Sequence, residues 1–199
     1  MRFIRWLRNP EYIGPPDCPI MRRWTIYADD GLLPYVKLAK RWPRIFDRKL
    51  MVHYFEPNVE DRDPHDHPRG FWTLVLRGRY LDLVPCGLCD GSGRHRGTDG
   101  GDLCSNCLGD GLIIGDVMKA GTIRYRPAKH THITQSGPKG AWTLILMGPF
   151  ERSWGFLRNS KWWPFKEYEA EFGFAMRCPS DEEREGVMLK YSDEMVDGR

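Results

Sequence analysis

The sequence of 199 residues has no long apolar stretch and no strong excess of charge of one sign. A membrane-spanning helix needs about 20 consecutive apolar residues, but the longest apolar runs are the short segments 74–76 and 144–147 with their aromatic neighbours. Lysine and arginine number 30 against 27 acidic residues, a net charge of +3. The sequence therefore predicts no membrane helix, and its charge gives no reason to expect nucleic-acid binding.

The first residues, 1–8, also lack the apolar core of a signal peptide. We therefore expect a cytoplasmic protein whose six cysteines are reduced, so that metal binding outranks disulfide formation. Cys18 and Cys178 stand alone, each followed by a proline, and we interpret both as inert thiols.

Composition divides the chain into four zones. Residues 1–21 contain four prolines and are predicted to form an irregular N-terminal arm. Residues 22–85 and 112–160 carry short runs of β-forming residues between glycines and prolines, which is typical of an all-β sandwich or barrel. Residues 86–111 contain eight glycines and interrupt this barrel as an insertion, and residues 161–199 are aromatic and then acidic.

Local patterns predict individual elements within these zones. A short helix is predicted over 32–42, ending before a proline. The acidic end is most simply a solvated helix or a frayed tail. The predicted strands are 24–27, 50–55, 71–76, 122–125, 132–134 and 142–147.

The cysteine pattern is the most specific signal. A C-x-x-C-x-G-x-G unit occurs twice, at 86–93 and 104–111, with fourteen residues between the second and third cysteines. Two such units supply the four thiolates of a tetrahedral structural zinc site, and glycine after each pair lets the chain turn tightly at positive φ. The predicted zinc ligands are Cys86, Cys89, Cys104 and Cys107.

This repeated unit resembles the cysteine-rich zinc-binding region of the DnaJ chaperone family, in which two units hold each zinc. The resemblance covers about twenty-six residues and includes no J-domain, so it implies one zinc and no chaperone activity. We call residues 86–111 the zinc knuckle. Arg94, His95 and Arg96 between the units are candidates for contact with an acidic partner, although a solvated loop tip is the simpler interpretation.

Histidines form the second group of candidate metal ligands. Four of the six occur as two H-x-H pairs, His65 with His67 and His130 with His132. Residues i and i+2 of a strand face the same way, so each pair can aim at a common point.

The first pair and its surroundings resemble the first sequence motif of the cupin superfamily. His65 and His67 match its histidines, and Gly78 stands at its glycine position. Phe71 occupies the position of the motif's glutamate. The resemblance implies an all-β cupin barrel, a double-stranded β-helix or jelly roll with short flanking helices.

The second pair resembles the second cupin motif. Gly121, Pro127 and His132 match it, with Lys129 in place of its second glycine. The implied barrel metal ligands are then the two histidines of the first motif and His132, and the family's fourth ligand, glutamate, is absent. His130 is a spare candidate that could replace His132 or hydrogen-bond to the metal's ligand shell.

Longer stretches resemble a looser group of small cupins from bacterial and phage genomes. They are residues 54–68, 76–80 and 142–156 and, with the motifs, extend over about half the chain. The zinc knuckle falls between the two motifs, in a loop outside the implied barrel, where length varies freely.

A site of three histidines without a carboxylate suits Fe(II), nickel, copper, manganese or zinc and leaves room for a substrate. Within the cupins it is similar to the thiol dioxygenases, which hold Fe(II) with three histidines, and this implies an oxygenase. The alternative is a metal-free barrel in which the histidines are ordinary polar residues.

Arginines are the other candidate ligand-binding groups. Arg77 with Arg79, and Arg124 with Arg126, share strand faces, so either pair could face an anionic ligand inside the barrel. Outward-facing, solvated side chains are the simpler interpretation of any one pair, and His53 is interpreted as a core histidine.

Aromatic residues near the end of the barrel are expected to close it or to form a dimer contact. They are Trp154, Phe156, Trp162, Trp163 and Phe165. Three function classes follow from the whole sequence: a metal-dependent cupin enzyme, a non-catalytic cupin that binds a small anionic ligand, and an interaction module whose zinc knuckle contacts protein or nucleic acid. The last class ranks lowest because the net charge is only +3.

Overall fold

The computed structural model describes residues 10–15, 18–28, 48–94 and 102–173. Several predicted features lie outside these ranges, namely the 32–42 helix, Cys178, most of the Arg94–Arg96 cluster and the acidic end. Among the described residues no helix is long and apolar enough to cross a membrane.

Nine strands and one helix make up the described part of the chain. They are β1 (Glu11–Ile13), β2 (Met21–Ala28), β3 (Lys49–Phe55), β4 (Phe71–Pro85), β5 (Leu112–Lys119), β6 (Ile123–Arg126), β7 (Ile133–Met147), β8 (Gly155–Arg158), β9 (Lys161–Pro164) and α1 (Phe165–Phe172). Seven strands form one antiparallel sheet in the order β1-β2-β3-β7-β4-β5, with β6 added on β4. The prediction of an all-β fold is confirmed.

Two strands of 15 residues, β4 and β7, pair along most of their length and bend the sheet into a barrel. Their register shifts at Val75/Arg77 and again at Gly78/Tyr80. Gly78 has φ 77°, and a Cβ at this position would lie 2.0 Å from the carbonyl oxygen of Gly140. Bulges and a glycine kink therefore turn β4, so that its first half pairs with β6 and its second half with β5.

The structure joins two predicted strands and adds others. Residues 133–134 and 142–147 belong to the single strand β7, because its pairing with β4 resumes at Ala141 after a bulge over 137–140, a segment whose glycines resemble turn residues in the sequence. Strand β5, which the strand predictions did not include, pairs with β4 over Arg79–Pro85. The inner wall of the barrel has an apolar core cluster made of Met51, Phe71 and Ile145.

Candidate metal centres

The four cysteine thiols of the zinc knuckle converge on one point. Cys86 Sγ lies 3.9 Å from Cys104 Sγ, and Cys89 Sγ lies 3.7 Å from Cys107 Sγ. All four residues are buried. Zn–S bonds of 2.3 Å in a tetrahedron place sulfurs about 3.8 Å apart, whereas a disulfide needs about 2 Å. The donor set and its spacing fit zinc.

The two halves of the zinc knuckle mirror each other in their backbone bonding. The Cys86 amide donates to the Gly111 carbonyl at 2.8 Å, and the Cys104 amide donates to the Gly93 carbonyl at 2.9 Å. The amides of these two glycines donate in turn to the second cysteine sulfur of each pair, both at 3.3 Å. Amide donors stabilise thiolate charge, so the repeated glycines both shape the loop and support the ligands.

The knuckle forms the tip of the β4–β5 hairpin, since Pro85 pairs with Leu112 directly below it. Asn106 donates to Cys86 Sγ at 3.2 Å, and this hydrogen bond lowers the pKa of the Cys86 thiol to about 6. A thiol of lowered pKa is closer to the thiolate form that binds metal.

The histidine cluster is built from two loop segments that meet across the barrel. His65, His67 and His132 each offer a ring nitrogen, and these atoms lie within 4.8 Å of one another. The Nε2 atoms of His67 and His132 are 2.9 Å apart. The backbones of His65 and His132 exchange two hydrogen bonds of 2.9 and 3.0 Å, which hold the two segments in register. We call these three residues the histidine triad.

The residue between the first two histidines explains why they point together. Asp66 is buried and faces the other way, where it accepts hydrogen bonds from the Gly155 amide at 2.8 Å and from Trp162 Nε1 at 3.0 Å. Arg152 pairs with it at 2.8 Å. Because successive residues of an extended chain face opposite sides, anchoring Asp66 outward turns His65 and His67 inward.

Asp82 on β4 orients the third histidine. His132 Nδ1 lies 2.8 Å from its carboxylate, and Arg126 Nε donates to it at 2.7 Å. An ionised carboxylate only accepts hydrogen bonds, so Nδ1 of His132 carries the proton and Nε2 presents its lone pair to the triad. Burial acts to raise the pKa of Asp82, but hydrogen bonds from His130 and His132 outweigh it and hold the pKa below its ordinary value.

His130 lies outside the triad and acts on it indirectly. Its Nε2 is 3.2 Å from both carboxylate oxygens of Asp82, so it belongs to a second cluster with Asp82 and His132. Of the two roles considered for His130, the geometry matches the hydrogen bond to the ligand shell. Asp82 was not among the predicted site residues, although a lone acid in the apolar segment 80–84 of a strand is a usable signal.

The triad histidines are neutral where their pKa shifts are resolved. Burial lowers the pKa of His65 to about 4, against a partly opposing effect of Asp61. Burial and the neighbouring histidines hold the pKa of His67 well below its ordinary value. Neutral imidazole is the metal-binding form, so this environment favours a metal over protons.

A cavity of about 570 Å³ opens from the triad into the barrel. Its wall is mainly apolar, and Phe71, at the glutamate position of the cupin motif, places its ring 4.6 Å from that of His67. Trp154 and Phe156 close the cavity beside His65, with ring separations of 6.4 and 5.8 Å. A volume of this size suits a small organic ligand.

The cationic residues of the cavity differ from the predicted ones. Arg77, Arg79, Arg124 and Arg126 are absent from its described lining, which instead contains Arg23, Lys49 and Arg69. The bulges of β4 interrupt the alternation on which the prediction for Arg77 and Arg79 rested. Arg126 is buried against Asp82 and Asp116, and Arg124 is exposed near Asp116. Arg124 and Arg126 thus form an ion-pair network with Asp82 and Asp116 behind the triad.

The predicted aromatic cluster packs beside the triad. Trp154 stacks on Phe165 with ring centroids 4.4 Å apart, and Phe156 contacts Tyr168 of α1 at 4.3 Å. Tyr168 in turn accepts a hydrogen bond of 2.7 Å from Arg62. Helix α1 and the β8–β9 hairpin thus cover the side of the barrel that holds His65.

Comparison with solved structures shows similarity to cupins. A cupin-like protein from Thermotoga maritima is 15% identical, with 81% of this chain and 93% of that one covered and a TM-score of 0.44. An oxalate oxidase in complex with the substrate analogue glycolate is 14% identical, with 94% and 79% covered and a TM-score of 0.43.

A DMSP lyase structure is 15% identical, with a TM-score of 0.41, and 70% of this chain is covered. This chain spans 57% of the lyase chain. No protein-family model and no curated protein matches the sequence. These TM-scores are all below 0.5, so the likenesses say nothing about function, which depends on the residues of this chain itself.

Proposed function

We propose that the protein is a metal-dependent cupin enzyme that binds a small organic anion at the histidine triad. The observation that carries the proposal is the convergence of three ring nitrogens within 4.8 Å on the wall of an apolar cavity. Three neutral imidazoles leave the charge of a divalent metal uncompensated, so a carboxylate or thiolate is the favoured additional ligand.

The residues of this chain support such a centre in distinct ways. Asp82 fixes the tautomer of His132, and the aromatic wall of Phe71, Trp154 and Phe156 limits access of water. When bound, the metal supplies Lewis-acid chemistry or, as Fe(II), oxygen-activating chemistry. The resemblance to three-histidine dioxygenases favours Fe(II), and we propose an oxygenase reaction on a small thiol or carboxylic acid.

The zinc knuckle has a separate role in this proposal. We propose that Cys86, Cys89, Cys104 and Cys107 hold a closed structural zinc, because four sulfurs fill all the positions of a tetrahedron and leave none for a substrate. The measured sulfur separations of 3.7 and 3.9 Å support this assignment.

Metal analysis of the untagged protein tests both assignments. We expect two metals per chain, a zinc and a second divalent ion, in the wild type. H65A/H67A should lose the second ion and keep the zinc. One zinc per chain and no other metal, even after reconstitution with Fe(II), nickel or manganese, would contradict the enzyme proposal.

Oxygen uptake by the iron-loaded protein then separates an enzyme from a binder. A panel of small thiols and carboxylic acids should include a compound that accelerates oxygen consumption in the wild type and has no effect on H65A/H67A. Anion binding that depends on the triad without any turnover would favour the non-catalytic cupin.

A further inference from the structure

The inner wall of the barrel carries polar atoms that make no well-formed hydrogen bond. His53 Nε2, Thr73 Oγ1 and Thr143 Oγ1 are buried and make no well-formed hydrogen bond among the described residues, and only the Thr73 hydroxyl has a polar neighbour, the hydroxyl of Tyr80. They lie on the neighbouring strands β3, β4 and β7. We call these three residues the wall patch.

The register shows that the wall patch is one contiguous group. His53 lies directly opposite Thr143, a position at which Cβ atoms are about 5 Å apart. Thr143 also lies opposite Val75. Val75 is two residues beyond Thr73 and on the same face of β4. His53 and Thr73 line the cavity, and Thr143, which is fully buried, lies beside His53 just behind the lining.

The wall patch is uncharged, and its polar atoms do not help to stabilise the fold. Burial, with a smaller effect of Arg23, lowers the pKa of His53 to about 3, so this imidazole is neutral at physiological pH. Thr73 and Thr143 are 2% and 0% exposed. An unpaired buried polar group destabilises the native state, and valine would fill each threonine position at lower cost. Two such groups on the cavity wall, with the third directly beside them, are therefore suited to a ligand.

The position of the patch relative to the triad defines the ligand further. The Phe71 ring contacts His67, and Thr73 is two residues along β4, about 7 Å from Phe71. Met51 and Ile145 border the same stretch of wall and form an apolar core cluster with Phe71. A ligand that spans this distance needs an apolar middle with a polar group at each end.

We propose that the wall patch is a subsite for an uncharged hydroxyl or carbonyl group of a ligand whose anionic end lies at the histidine triad. The ligand class is a hydroxylated or keto-substituted organic acid with an apolar body. This inference rests on the proposed function for the position of the anionic end. The patch itself is defined by contacts independent of any metal.

A matched pair of acids tests the subsite in the metal-loaded protein. The probes are 3-(4-hydroxyphenyl)propionate and 3-phenylpropionate, which differ only in the hydroxyl remote from the carboxylate. By calorimetric titration we expect the hydroxylated acid to bind about 10-fold more tightly to the wild type, since one good hydrogen bond replaces an unpaired group. In T73V/T143V the two affinities should agree within about 2-fold, with that of 3-phenylpropionate unchanged.

The same variants have a second readout that needs no ligand. T143V should raise the Tm of the protein by about 2–4 °C, because it removes an unpaired hydroxyl and keeps the side-chain shape. The control is T25V, since Thr25 lines the same cavity but has an interaction partner. T25V should give no such rise.

Each result decides a different point. Equal affinities of the two acids in the wild type, or a lower Tm in T143V, would overturn the subsite. The proposed function would survive that result if both acids bind and H65A/H67A abolishes their binding. Failure of both acids to bind the metal-loaded wild type would overturn the inference and, with it, the proposed anionic ligand.

Discussion

At the scale of single residues, Phe71 sets the charge of the barrel site. It stands where the cupin motif has a glutamate, and its ring packs 4.6 Å from that of His67. Only 7% of the residue is exposed. A carboxylate in this place would cancel part of the charge of a divalent metal at the triad, so under the proposed function the aromatic ring would keep the centre more attractive to anions.

Restoring the carboxylate should reverse this preference. F71E is expected to keep the second metal but to weaken the binding of small carboxylates by about 10-fold, because the site loses one unit of positive charge. Without metal its buried carboxylate should destabilise the fold, so its Tm should depend on metal more strongly than that of the wild type. F71L controls for the lost ring. A calorimetric titration that finds equal anion affinities in F71E and F71L would contradict this account.

Asp82 is expected to act on the metal through His132. In D82N the fixed tautomer of His132 is lost, and we expect the triad to bind metal about 10–100-fold more weakly in a chelator competition assay. D116N is the matched control, because Asp116 contacts Arg126 at 2.6 Å and is not in the cluster of Asp82, His130 and His132. Equal losses in the two variants would instead assign the effect to Arg126.

His53 should make stability depend on pH. Its folded pKa of about 3 lies below the unfolded value of 6.5, so protons bind preferentially to the unfolded chain in this range. Its contribution to the free energy of unfolding is complete above pH 6.5 and is lost as pH falls toward 3. The loss amounts to about 2 kcal/mol at pH 5. Urea unfolding at pH 7.5 and 5 should therefore show a loss that is smaller in H53L. An identical loss in both proteins would exclude His53 as its source.

At the scale of elements, strand β4 links the two candidate metal centres. It begins at Phe71 beside the triad, carries Asp82 behind His132, and ends at Pro85, next to Cys86. Its bulges and Gly78 allow one strand to serve both halves of the barrel. The zinc knuckle is thus attached to the end of a strand that also pairs with β6 and β7.

Glycines inside the zinc knuckle should be as necessary as its cysteines. A Cβ at Gly111, where φ is 75°, would lie 2.2 Å from the carbonyl oxygen of Gly91. We expect G111A to lose zinc or to bind it at least about 10-fold more weakly, measured by release to a chromogenic chelator. At Gly87 an added Cβ meets nothing within 4 Å, so G87A should retain zinc like the wild type. Equal zinc release by the two variants would show that the close approach is unimportant.

At the scale of the whole molecule, the knuckle and the barrel should be separable. Structural zinc sites contribute about 10–16 kcal/mol of apparent binding free energy in small zinc domains, so the knuckle should require its metal to fold. The barrel has apolar clusters of its own, such as Met51, Phe71 and Ile145. C86S/C107S should therefore lose zinc and become sensitive to protease within 86–111, while the circular dichroism of the barrel persists.

The reciprocal variant completes this test. H65A/H67A should leave the protease resistance and the zinc content of the knuckle unchanged. Unfolding of the whole protein in C86S/C107S would mean that the insertion is integral to the core. The division of the chain into barrel and knuckle would then be wrong.

Local patterns in the sequence determined both sets of candidate ligands. The C-x-x-C units and the H-x-H pair of His65 and His67 are short, and the geometry of a metal site restricts the spacing of ligands within a few residues. The all-β fold class could also be predicted, because strand preference is expressed in runs of β-forming residues. The continuity of β7 was not, since residues 137–140 form a bulge between its two stretches paired with β4 and do not end the strand in a turn.

Only the tertiary structure decided how these ligands are supported. Asp82 and His132 are 50 positions apart, and His53 and Thr143 meet only because β3 pairs with β7. Bulges in the pairing of β4 with β7 determine that Arg77 and Arg79 lie outside the cavity. Ligand identity is encoded over a few residues, whereas orientation, burial and the wall of the cavity arise from contacts between distant strands, which no local pattern specifies.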